Sequence, residues 1–179
     1  MSSPAAHYGR GTQVVDDRSD VEDQWLILGA LFADPTAPYD TFVSIPFGHH
    51  LKCRLPKALD LMFSSSCRWI LIIETQAGFY LQFLATENGA VISECVSNEY
   101  RPPESMLSVD MEETLPTLGW NWPASPNPMN WQTIEYDKEQ VLDSAILATH
   151  TLRRISGCQD DNLMRAKLFP SLNTQWGPR

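Results

Sequence analysis

The chain has 179 residues, 43% of them hydrophobic and 20% charged, which is enough apolar material for one sizeable core and too little length for two comfortable domains. A net charge of -9 and a pI near 4.8 exclude a nucleic-acid surface, because phosphate binding needs clustered Lys and Arg. No apolar run approaches the roughly 20 residues that a helix needs to cross a bilayer, so membrane insertion is not expected either.

Residues 1–20 are small and polar, with too little apolar content to offset the entropy of ordering them, and read as a disordered N-terminal arm. They lack the apolar centre of a signal peptide, which makes a cytoplasmic address the expectation. From Val21 the pattern changes. An acidic lead of Asp20, Glu22 and Asp23 precedes Trp25, Leu26, Leu28, Leu31 and Phe32, which suits a helix over about 21–33; the run WLILGALF also fits a buried strand. Three prolines and a glycine then interrupt every period up to Leu55, with room for an edge strand near Thr41 to Ile45. Pro56 suits the first turn of a second helix, whose apolar face is Ala58, Leu59, Met62 and Phe63.

Three strand-like runs follow. Trp69, Leu71 and Ile73 alternate with Arg68, Ile70, Ile72 and Glu74; Ala77-Gly78 turns the chain into Phe79 to Ala85; Glu87-Asn88-Gly89 is a hairpin signal leading into Ala90 to Ser97. Such short connections predict an antiparallel meander. Ser108 caps a short acidic helix with Met111, Leu115 and Leu118 on its inner face, Pro116 kinking or shortening it, and Gly119 ending it. A fourth strand is expected over Trp131 to Tyr136. The last helix carries Val141, Ala145, Ala148, Leu152 and Ile155 as one stripe, with Arg153 and Arg154 at its end. The fold class is therefore α+β: a three-strand meander plus a later strand, packed with an N-terminal helix and a long C-terminal helix. One domain spans 21–158, and 159–179 is a tail partly docked through Leu163, Leu168, Phe169 and Leu172.

The segments YLQFL, ISECVSNEY, LGWNWP, the NW that opens the fourth strand, and VLDSAILATHTLRRISG occur in that order over about residues 55–158. In order and spacing the chain resembles the superfamily of type III secretion chaperones and YbjN-like proteins, most closely the chaperone-like TY-Chap domains of actinobacterial proteins. The helix before the meander is shorter than that family's usual first helix, and Asp20 to Ala33 is the other candidate for its part. The resemblance implies a non-catalytic module, often homodimeric, that holds a peptide segment of a partner protein on an apolar groove or sheet edge. A regulatory interaction domain of a larger system is the alternative of the same kind. The partner-binding candidates are Trp120, Trp122, Tyr80, Phe63 and Met62.

Chemistry-bearing residues offer weaker leads. His49-His50 and Cys53 are metal-ligand types without a fourth ligand at a recognisable spacing, so a surface loop is the reading preferred and no metal or cofactor is expected. Cys53, Cys67, Cys95 and Cys158 form no CxxC pair and read as free thiols. A thiol-dependent enzyme using Cys67 or Cys95 with His150 is the alternative from another class, although packing accounts for all three. Glu94 lies on a strand face with Ile92 and Val96, with Arg68 a candidate partner. No phosphate-binding glycine motif occurs.

Overall fold

The computed structural model describes residues 42–64, 69–86, 90–122, 130–132 and 137–170. Phe42–Pro46 forms β1, with Val43 and Ile45 buried and their neighbours half-buried, the period of two of a strand covered on one side. The same alternation runs through β2 (Trp69–Glu74), β3 (Tyr80–Ala85) and β4 (Val91–Cys95), so the meander read from the sequence is present. Helix α1 covers His49–Ser64, α2 Val109–Leu118 and α3 Val141–Ile155; β5 is Trp131–Gln132 and β6 is Leu163–Pro170. The class is α+β. Among the described residues six strands form one antiparallel sheet in the order β1-β6-β2-β3-β4-β5.

Four expectations are corrected. Residues 163–170 are no docked tail: β6 inserts between β1 and β2, with Met164, Ala166 and Leu168 buried and Arg165 and Lys167 on the other side. Pro56 does not start α1 but sits in its interior, because Leu51 and Leu55 extend the Ala58, Leu59, Met62 face at spacings of three and four. The apolar area that these two leucines bury outweighs the missing amide donor of the proline. For the same reason His49, His50 and Cys53 belong to the first two turns of α1 and not to a loop. In α2, Leu115 is fully buried and Leu118 packs against the core, but Met111 is exposed. It stands one turn nearer the N-terminus, past the reach of the core.

Ser108 accepts a hydrogen bond from Met111 N at 3.3 Å and so caps α2 as its sequence position suggests. The predicted stripe of α3 is buried along its whole length, and Asp137 with Gln140 forms a capping box ahead of it. Helices α1 and α3 pack on each other over one face of the sheet, and α2 packs on α3. Ser93 on β4 and Ser144 on α3 share a buried hydrogen bond of 2.8 Å, which satisfies two hydroxyls inside the apolar interior. The Glu87-Asn88-Gly89 turn and residues 133–136 of the expected fourth strand lie outside the described residues, as do 1–41 and 171–179. Thr86 and Ala90, on either side of that turn, are joined by a backbone bond of 2.8 Å.

Candidate functional site

The end of α2 sets the site. Gly119 takes φ 113°, a left-handed conformation that side chains disfavour, and its N–H bonds to Pro116 O while Trp120 N bonds to Leu115 O. This pair of bonds is a Schellman motif, in which the residue after the glycine packs back on the last helical turn. Trp120 does so. It is buried, and its Nε1 donates to Thr151 Oγ1 at 2.8 Å, while Thr151 Oγ1 donates to Leu147 O.

Two residues on, the side chain is no longer in the core. Trp122 is 62% exposed, and its ring lies 4.3 Å from that of Trp131, tilted by 41°. Trp131 is buried at the start of β5, opposite Cys95, and its Nε1 has no hydrogen-bond partner among the described residues. An orphaned buried donor costs about 1–3 kcal/mol. An exposed indole therefore rests on a buried one at the end of the sheet order.

The face of the sheet away from the helices carries a polar group beside this margin. Gln82 Nε2 and Asn130 Nδ2 each donate to Glu94 Oε2 at 3.2 Å, Asn130 Nδ2 reaches Tyr80 OH at 3.5 Å, and Asn130 Oδ1 accepts from Ser97 N at 3.3 Å. These bonds hold the Glu94 carboxylate half-buried with directed donors. At the opposite margin Arg165 Nη2 and Lys167 Nζ lie 3.0 and 3.4 Å from Glu74 Oε2, and the Arg165 guanidinium sits 5.9 Å from the Phe42 ring centre. Between the two margins Ile70, Leu84 and Ile92 are direct cross-strand neighbours on β2, β3 and β4, with Ile72 two residues along β2.

Of the side chains proposed from sequence, Trp122 is exposed beside Trp131 of β5, and Tyr80 is half-buried on β3. Met62 and Trp120 are core residues, and the side chain of Phe63 lies outside the described set. Sequence reasoning misses Gln82 and Asn130, though Asn130 is the Asn of the NW pair and Gln82 the centre of YLQFL. Arg68, the partner suggested for Glu94, and Cys67 lie outside the described residues.

Cys53 is exposed, whereas Cys95 and Cys158 are buried. Burial pushes the Cys95 thiol far above its ordinary range, with the Arg101 charge pulling weakly the other way. Burial likewise lowers the Arg101 guanidinium, opposed by Cys95 and Tyr80. A thiol held protonated inside a strand is a poor nucleophile, and His150 is exposed on α3. Among the described residues no group of three or more His, Cys, Asp or Glu is placed to hold a metal ion, and no helix is long and apolar enough to cross a membrane.

Residues 60–170 match the family model described as T3SS (YopN, CesT) and YbjN peptide-binding chaperone 3. No curated protein and no solved structure matches the chain.

Proposed function

Because the chain belongs to this family of peptide-binding chaperones, we propose that it is a non-catalytic module that holds an extended segment of a partner protein along β5 and the exposed indole of Trp122. One observation carries the location: a 62% exposed tryptophan seated on a buried one, at the end of the sheet order. A large aromatic side chain backed by a rigid surface loses little conformational freedom on binding, which is why Trp dominates interface energetics. The strand beside it supplies backbone groups to an added strand. Tyr80, with Asn130 and Glu94, adds polar partners at the same margin on the outer face. Tyr80 and Trp122 are thus the binding residues of this reading, and Met62 and Trp120 support it from the core. The protein works in the cytoplasm as a homodimer, its acidic charge keeping an apolar binding surface in solution.

The experiment is a panel of synthetic extended peptides read by fluorescence anisotropy. Peptides that bind the native chain should lose about 30-fold in affinity with Trp122→Ala, the equivalent of about 2 kcal/mol for a hot-spot aromatic. A panel in which no peptide binds, or binders indifferent to Trp122→Ala, would contradict the reading.

A further inference from the structure

Among the described residues three buried side-chain polar atoms lack a hydrogen-bonding partner: Glu74 Oε2, Ser97 Oγ and Trp131 Nε1. Glu74 is compensated by the cations of Arg165 and Lys167 at 3.0 and 3.4 Å. The other two are neutral and belong to one place. Trp131 stands opposite Cys95 in the β4–β5 pair, and Ser97 lies two residues past Cys95, its backbone N–H bonded to the side chain of Asn130, the residue before Trp131.

We propose that Trp131 Nε1 and Ser97 Oγ are recognition groups for the main chain of the held segment: Nε1 donates to a peptide carbonyl, and Oγ accepts from a peptide N–H. The inference rests on the reading that a segment binds along β5. A peptide backbone offers one acceptor and one donor per residue, which complements this pair whatever the partner's side chains are. The neighbouring groups are already committed. Asn130 uses Oδ1 on Ser97 N and Nδ2 on Glu94, Thr151 Oγ1 accepts from Trp120 Nε1 and donates to Leu147 O, and Cys95 Sγ donates to Val96 O at 3.8 Å. Ser97 stands at the N-terminal cap of the single turn Asn98–Tyr100, yet its side chain makes no capping bond. Trp120 supplies the contrast, since its donor is satisfied inside the fold, as buried indoles ordinarily are. An unsatisfied pair weakens the free chain and returns that loss as affinity, because its groups are stripped of water before the partner arrives. Trp122, 62% exposed with its ring 4.3 Å from that of Trp131, is the cover that turns aside for the segment.

The test titrates the full chain, carrying isotope-labelled tryptophan indoles, with the synthetic peptides of the anisotropy panel and follows the indole N–H resonances. That of Trp131 should move downfield as a peptide saturates the chain, while that of Trp120, already bonded to Thr151, stays in place. Ser97→Ala should weaken peptide binding about tenfold, the worth of about one hydrogen bond, and leave the denaturant midpoint unchanged, because the hydroxyl it removes has no bond to lose. Peptides that bind through Trp122 but leave either the Trp131 resonance or the Ser97→Ala affinity unchanged overturn this inference and spare the site at β5. A Ser97→Ala chain that loses stability and keeps its affinity makes the hydroxyl structural and overturns the inference as well. A panel without a binder overturns both readings, so the two failures are told apart.

Discussion

Leu81 and Leu84 lie three residues apart on β3 and face opposite sides of the same sheet. Leu81 has no exposure and meets the helices; Leu84 is half-buried on the face they leave uncovered. The inner face is uniformly apolar apart from Ser93, whose hydroxyl is satisfied by Ser144. The outer face is graded: cations and Glu74 at the β6 end, an isoleucine and leucine strip across the middle, and amides around Glu94 toward β5. An antiparallel sheet needs only one buried face for its stability. The inner face therefore accounts for the fold.

The largest effect expected from that division is on Leu81→Ala, which should cost about 2–5 kcal/mol in denaturant unfolding, whereas Leu84→Ala should cost about 1 kcal/mol because less area and less cavity are involved. Equal losses would mean the two faces are equally closed. Thr151→Val should come next, at about 1–3 kcal/mol, because it removes the acceptor of Trp120 Nε1 and leaves that donor buried. A loss below about 0.5 kcal/mol would show that the indole does not depend on Thr151.

A pH series adds a smaller contrast. The Cys95 thiol keeps its proton in the folded chain, since burial raises its pKa, while the unfolded chain releases that proton above about pH 8.5. The unfolded state then binds fewer protons than the folded one, so stability present below about pH 8.5 declines as pH rises, by up to about 1.4 kcal/mol per pH unit from this group. Cys95→Ala should remove that part of the slope between about pH 8.5 and 10. Identical slopes for the two proteins would contradict burial of an ionisable thiol on the inner face.

Much of the inner face was legible because its residues obey simple periods. The alternation of Trp69, Leu71 and Ile73, and the stripe from Val141 to Ile155, name their buried sides without any knowledge of partners. LMRAKLF in β6 alternates just as cleanly, yet its neighbours β1 and β2 lie about a hundred residues earlier in the chain, and no turn signal links strands so distant. Pro56 misled because a proline suits a first turn, and only the burial of Leu51 and Leu55 shows that the helix began earlier. The site was half legible. LGWNW marks an aromatic turn, but which tryptophan is core follows from the bond between Trp120 N and Leu115 O; the glycine after Leu118 hinted at that motif, and the inward turn of Trp120 could have been read from it. Asn130 was beyond reach, since its partners Tyr80 and Glu94 are 50 and 36 residues away.

If a partner segment is held along β5 beside Trp122 while the inner face stays a closed core, amide hydrogen exchange of the chain, with and without a bound peptide from the panel, must show it at two residues. Exchange at Trp131 and Gln132 should slow when the peptide binds, with the rates through α3 unchanged. Unchanged rates at β5, or protection that arises in α1 and α3 instead, would overturn the reading.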